Sequence, residues 1–234
     1  MVRTGTSLNQ NAEPSASDPY AALREAMVAK QIRRRGIRDP RVLEAMATVP
    51  RHEFVLPQSV GRAYEDEPLP IGGGQTISQP FIVAAMTAAL ELKGTERVLE
   101  IGTGCGYQAA VLSLLSREVF SVECRSELAR AAAERLVRLG FLNVTVRCGD
   151  GTLGLAEHAP WDAILVAAAA PAVPGPLLEQ LADGGRIIAP VGTEEHQQLV
   201  LLARRAGHWS EDRREPCRFV PLVGCHGWKG EDLL

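Results

Sequence analysis

The apolar run Val98-Leu99-Glu100-Ile101 leads straight into Gly102-Thr103-Gly104-Cys105-Gly106, and Tyr107 opens a stretch with helical spacing. A strand that ends in glycines and turns at once into a helix leaves few folds open. The glycines allow a tight turn and a close backbone approach to a ligand. The first N–H groups of the helix stay unpaired and face the same point. Such a joint is the nucleotide-binding crevice of a doubly wound sheet. The chain that follows keeps to this pattern. Strands are predicted over 97–101, 119–122, 144–147, 162–166 and 186–189. Helices are predicted over 107–115, 126–139 and 176–181, with Ser126 as a cap and Gly140 just past the helix end. The alternation argues an α/β fold, a mainly parallel sheet with helices on both faces. Residues 198–203 and 218–223 read as two more strands with a polar loop between them, giving an antiparallel C-terminal edge.

Two helices are predicted upstream. One runs over about 20–35 and ends at Gly36; the next starts with Asp39 as N-cap and Pro40 as its first residue. Residues 51–79, broken by Pro57, Pro68, Pro70 and Gly72-Gly73-Gly74, read as a long irregular segment. Loops of that length in a compact domain are mostly functional or disordered. A helix is expected over 80–92. Residues 1–18 are small and polar without an apolar core, which reads as a disordered tail rather than a secretory signal.

Composition narrows the function classes. The formal net charge is −3, so nothing favours nucleic acid as a partner. The basic run Lys30, Arg33, Arg34, Arg35 falls on a predicted helix and reads as a solvated face. No apolar run reaches membrane-spanning length. The five cysteines are odd in number and contain no CxxC pair, which argues against a zinc cage or a secreted disulfide framework. Reduced thiols and a cytoplasmic location are expected, with no metal and no membrane partner.

The glycine spacing also bears on which nucleotide is bound. The dinucleotide pattern Gly-x-Gly-x-x-Gly places its third glycine one residue later than Gly106 stands here. Glu100, on the strand before the loop, would repel a pyrophosphate but attract a sulfonium or amino group. Glu123 closes the second strand, where a carboxylate can accept both ribose hydroxyls. Asp150, in Gly149-Asp150-Gly151, follows the third strand and could accept from an adenine amino group. It could equally be a plain Asp-Gly turn. These residues favour S-adenosyl-L-methionine over NAD.

Further segments bear on the substrate. Glu65-Asp66 precedes Pro68-Leu69-Pro70, and Gln75-Thr76-Ile77-Ser78-Gln79-Pro80 follows. Downstream come Gly106-Tyr107-Gln108, Ser121-Val122-Glu123, Pro190-Val191-Gly192 and Phe219-Val220-Pro221-Leu222. Together with the glycine loop these resemble, collinearly from about 27 to 222, the protein-L-isoaspartate O-methyltransferase family. The resemblance implies a Rossmann-like class I methyltransferase fold. It implies a single domain over 19–234, made of N-terminal helices and an active-site loop (19–95), a cofactor core (96–192) and C-terminal strands (193–234). The implied reaction moves a methyl from S-adenosyl-L-methionine to the free carboxylate of L-isoaspartyl residues in damaged proteins. The products are a methyl ester and S-adenosyl-L-homocysteine, and the implied enzyme is a monomer. Ser78 is implied as the active-site serine, although it could also cap the helix that follows. Thr76, Glu100, Gly102, Thr103, Gly104, Cys105, Gly106, Glu123, Asp150 and Gly151 are implied at the cofactor. Val220, Pro221 and Leu222 are implied along the substrate backbone. Cys105 and Ala167 depart from the family's usual serine and threonine. They keep open an alternative, a carboxylate methyltransferase acting on a peptide natural product or a small molecule.

Overall fold

A seven-stranded sheet organises the chain, and a separate two-stranded hairpin leans over one end of it. The computed structural model describes residues 18–229. The hairpin strands are β1 (Leu69–Gly72) and β2 (Gln75–Ile77). The sheet strands are β3 (Arg97–Ile101), β4 (Glu118–Glu123), β5 (Val144–Cys148), β6 (Trp161–Val166), β7 (Leu181–Gly192), β8 (Gln197–Arg205) and β9 (His208–Cys217). Their spatial order is β5-β4-β3-β6-β7-β8-β9, with β3 to β7 parallel and β8 and β9 antiparallel. The chain winds outward from β3 to β5, then crosses to β6 on the other side of β3. The switch point therefore lies between β3 and β6, and the glycine loop sits at its carboxyl end, where ligands bind in such sheets.

The helices follow from local chemistry. Helix α1 (Ala21–Met27) continues through a π turn at Val28–Ile32 and a 3₁₀ turn at Arg33–Arg35, and stops at Gly36 with φ +101°. Helix α2 (Pro40–Thr48) is capped by Asp39, whose side chain accepts from the Arg41 N–H. Val42, Leu43 and Met46 form its buried stripe, and each such burial contributes roughly 1.5–3 kcal/mol. Helix α3 (Pro80–Ala89) is apolar nearly all round and buried on most sides, as a helix between two layers should be. Helices α4 (Tyr107–Ser113), α5 (Ser126–Arg138) and α6 (Gly175–Glu179) follow β3, β4 and β6.

One buried cluster joins Met27, Met46 and Phe54 of the N-terminal region to Met86 of α3 and to Val98 and Leu165 of the sheet. The opposite face holds a second cluster around Trp161, Leu177 and Ile187. The N-terminal helices thus share a core with the sheet, and the substrate-side loop is mounted on that core.

Four expectations need correction. Residues 208–217, read as a polar loop, form β9; it is an edge strand exposed along nearly its whole length, so it carries no apolar alternation. Residues 218–223 do not form a regular strand but bridge the segment after β6 at Ala169–Pro221; Pro221 has no N–H to continue a ladder. The segment 51–79 contains two 3₁₀ turns and the β1–β2 hairpin, turned through Gly73 and Gly74 at φ +57° and +70°. Ser126 is the first residue of α5 and Arg125 holds the cap position. The expected tail falls on residues outside the described ones, apart from Asp18, which accepts from the Tyr20 N–H and pairs with Arg24.

Candidate active site

Backbone geometry at the carboxyl end of β3 builds the cofactor side. Gly102, Gly104 and Gly106 all have positive φ (+93°, +53° and +90°), so the loop takes a path that other residues adopt only under strain. A Cβ at Gly104 would stand 3.2 Å from Ile71 of the hairpin, and one at Gly106 3.2 Å from Leu136 of α5. The loop is therefore wedged between two elements, and its third glycine seats α4 against α5.

A polar chain pins the loop from below. The Ser121 hydroxyl donates to Glu100, and the Thr103 hydroxyl lies 2.5 Å from that of Ser121. Glu100 is fully buried and its pKa is pushed up to about 8, chiefly by desolvation and further by the nearby Glu123 carboxylate; the Ser121 hydrogen bond only partly offsets this. Glu123 faces the loop from β4. One of its oxygens accepts from the Gly104 N–H at 2.8 Å, the other from the Arg125 N–H at 3.1 Å.

A narrow slot of ≈ 70 Å³ opens above the loop. Of the residues singled out in the sequence, Thr76, Gly102, Gly104, Glu123, Gly151, Val220, Pro221 and Leu222 line it. Glu100, Thr103, Cys105 and Gly106 do not: the first two lie beneath the loop, the Cys105 side chain joins the core, and Gly106 packs on Leu136. Asp150 also stands outside the slot. Its carboxylate accepts from Thr152 N and Oγ1 and from Cys225 N. Burial alone would raise its pKa, but those donors outweigh it and hold the group below the ordinary carboxylate range. Asp150 thus also clasps the C-terminal strap: a Cβ on Gly224 would fall 2.1 Å from its Oδ1.

A second, wider cleft of ≈ 370 Å³ lies beside the slot. Ser78 lines it, together with Pro68, Gln79, Ile82 and Phe219. Gln79, not Ser78, holds the cap position of α3, so the serine hydroxyl is not used as a helix cap. Thr76, Ala167 and Val220 line both slot and cleft. These three residues form the seam where a group held in the slot meets a group held in the cleft.

The donor set fits one nucleotide class better than another. No Lys or Arg stands among the described residues lining the slot, whereas Glu123 does. A pyrophosphate would meet a carboxylate without a balancing cation, while a ribose diol and a sulfonium are suited to it.

The family comparison agrees with this geometry. The family model for protein-L-isoaspartate(D-aspartate) O-methyltransferase matches residues 22–227. The chain belongs to that family. A protein-L-isoaspartate O-methyltransferase 2 from Pelobacter propionicus is 58% identical over 207 residues, covering 88% of this chain and 92% of the relative. One from Methanoculleus marisnigri is 54% identical, covering 92% and 98%. Among solved structures, a protein-L-isoaspartate O-methyltransferase superposes with a TM-score of 0.77 at 31% identity, covering 87% of this chain and 67% of that one. A Plasmodium falciparum structure assigned to the same family, in complex with S-adenosyl-L-homocysteine, gives 0.74 at 25% identity, covering 86% and 98%.

Within this isoaspartate methyltransferase family member, two departures acquire positions. Cys105 is buried and its thiol pKa is raised by desolvation, so the substitution sits in the core rather than in the slot. Ala167 is at the seam itself and offers it no hydroxyl. Sequence reasoning missed Gln197 altogether. Its side-chain amide accepts from the Phe219 N–H at 2.6 Å and donates to the Phe219 carbonyl at 3.2 Å, taking the place of a strand partner. A glutamine in a strand gives no signal of such a role.

Proposed function

We propose that the chain is a repair enzyme that methylates the free carboxylate of L-isoaspartyl residues, using S-adenosyl-L-methionine. The observation that carries this reading is the seam at Thr76, Ala167 and Val220, with the slot on one side and the Ser78 cleft on the other. When bound, the cofactor supplies a sulfonium methyl, which the substrate carboxylate takes as an ester to leave S-adenosyl-L-homocysteine. The slot residues Gly102, Gly104 and Glu123 hold the nucleotide side, Gly104 through close backbone approach and Glu123 through its carboxylate. Thr103, Glu100, Cys105 and Gly106 act from beneath, as supports of the loop. Asp150 and Gly151 bound the adenine end, with Asp150 also holding the strap.

Ser78 orients the acceptor carboxylate by donating its hydroxyl. No general base is needed, because a carboxylate with a pKa near 4 is ionised at neutral pH. The protein's contribution is alignment and exclusion of water, and positioning alone is worth roughly 7–11 kcal/mol. Val220, Pro221 and Leu222 border the peptide. No helix among the described residues is long and apolar enough to cross a membrane. We read 19–234 as one methyltransferase domain, acting as a monomer in the cytoplasm on many damaged proteins.

The direct test offers labelled cofactor with two matched peptides, one isoaspartyl and one aspartyl. Base-labile label on the isoaspartyl peptide alone is the expected result. Label on neither, with S-adenosyl-L-homocysteine still bound, would overturn the substrate and direct attention to peptide natural products or small molecules. Ser78→Ala removes one hydrogen bond to a charged group, so kcat should fall about 10- to 100-fold. Calorimetry should show unchanged affinity for S-adenosyl-L-homocysteine. An equal loss in kcat and in cofactor affinity would exclude the orienting role.

A further inference from the structure

The Ser78 cleft does not end where the acceptor carboxylate would lie. A third cavity of ≈ 430 Å³ continues it, and the two share Pro68, Thr76, Arg218, Phe219 and Val220 as common walls. Together they make one trench that runs on past Ser78, which lines only the first of the two. Arg218 is exposed and lines both halves, but not the cofactor slot. Unlike Ser78, it therefore reaches into the continuing half of the trench. Within the Ser78 cleft it is the one charged side chain among the described lining residues. Glu194 lines the continuing cavity. The neighbouring arginines are already engaged, Arg213 with Glu211 and Arg214 with Asp212. Arg218 has no such partner among the described residues. Its backbone mount is firm, because Gln197 clamps Phe219 and the Ala169 N–H donates to the Val220 carbonyl.

We propose that Arg218 is a specificity-determining residue that favours isoaspartyl peptides with an acidic side chain at one flank of the damaged residue. This rests on the repair reading above and adds to it a preference that backbone recognition alone does not give. Two arguments assign Arg218 to the flank rather than to the acceptor. It lines the continuing cavity, which Ser78 does not, so it stands beyond the acceptor position. A guanidinium paired to the acceptor would also lower the nucleophilicity of the carboxylate toward the methyl, which a methyl-transfer site has no use for. As the one charged side chain among the described residues lining the Ser78 cleft, it attracts a flanking carboxylate there and repels a flanking ammonium.

The experiment uses the full chain and isoaspartyl peptides that differ at one position. Glu, Gln or Lys is placed immediately before or immediately after the isoaspartate. KM and kcat are measured for wild type, Arg218→Gln and Arg218→Glu. At one flank, KM should rise in the order Glu, Gln, Lys, with about three- to fivefold between Glu and Gln, the size of an exposed ion pair. Raising the salt should shrink the spread. Arg218→Gln should bring the three values together, and Arg218→Glu should reverse their order. KM values that are the same at both flanks in wild type would overturn the assignment while leaving the repair reading intact, as would a spread that persists in Arg218→Gln. Failure to methylate any isoaspartyl peptide would overturn the repair reading and the assignment with it.

Discussion

Glu100→Gln is expected to flatten the fall in stability of the cofactor-free protein between about pH 4.5 and pH 8. In the folded chain the Glu100 carboxyl titrates at about 8, because it is fully buried beside a second carboxylate, Glu123. In the unfolded chain it returns to an ordinary value near 4.3. Between the two values the folded state holds a proton that the unfolded state has lost. Stability falls with pH wherever the folded state binds more protons. The contribution is therefore fully present below the unfolded pKa, is lost as pH rises, and is gone above about pH 8. Glutamine cannot ionise, so the variant escapes that fall. Relative to wild type it should gain on the order of a few kcal/mol between pH 4.5 and pH 8.5. Urea unfolding midpoints of both proteins across that range check it. Parallel curves would show that Glu100 is ionised in the folded state at neutral pH, and the buried Ser121–Glu100 contact would then need a charged reading.

The same residue shows where sequence reasoning stops. The strand around Glu100 reads Val98, Leu99, Glu100, Ile101, and all four are buried. A strand covered on both faces has no alternation, so nothing in the sequence says whether Glu100 points into the slot or under the loop. It was expected at the cofactor, and the structure places it beneath. Elements with a chemical start or stop were legible: Asp39-Pro40 opens α2, Gly36 ends the first helix, and the glycines after β3 mark the crevice. β9 was not, since an exposed edge strand such as His208–Cys217 obeys no hydrophobic pattern. Nor was the strap on Asp150, because Gly224 and Cys225 meet it only through long-range backbone geometry. The Gln-Thr-Ile-Ser-Gln-Pro and Phe-Val-Pro-Leu segments carried the substrate side by resemblance to a family, and Thr76, Ser78 and Val220 do border one cleft. Their spacing alone would not have brought them together across more than a hundred residues.

Arg51→Ala is expected to destabilise the fold by roughly 3–5 kcal/mol, the range of large-to-small changes in a core. Arg51 follows Pro50 at the start of a 3₁₀ turn. In the structure it is fully buried, and burial pulls its pKa below the ordinary guanidinium value. No carboxylate among the described residues pairs with it. Its Nε donates to the Ala63 carbonyl at 2.7 Å and its guanidinium carbon stands 4.9 Å from the centre of the Tyr107 ring, while Nη1 has no partner among the described residues. Truncation opens a void against Tyr107 and leaves the buried Ala63 carbonyl without its donor, and an orphaned acceptor alone costs about 1–3 kcal/mol. The loss should reach the site as well. Ala63 leads into Glu65-Asp66, Pro68 and the β1–β2 hairpin, whereas Tyr107 begins the helix just after the glycine loop. Arg51 therefore ties the wall of the substrate cleft to the floor of the cofactor slot. Chemical unfolding should show the drop in stability, and peptide KM should rise in the variant at temperatures where it remains folded. Saturating S-adenosyl-L-homocysteine should recover part of the stability, since a ligand of the folded state stabilises it by mass action. Unchanged stability would mean that the cost of burying the uncompensated guanidinium equals everything it holds in place, and the tie between the two walls would have to be sought elsewhere, first in the contact of Ile71 with Gly104.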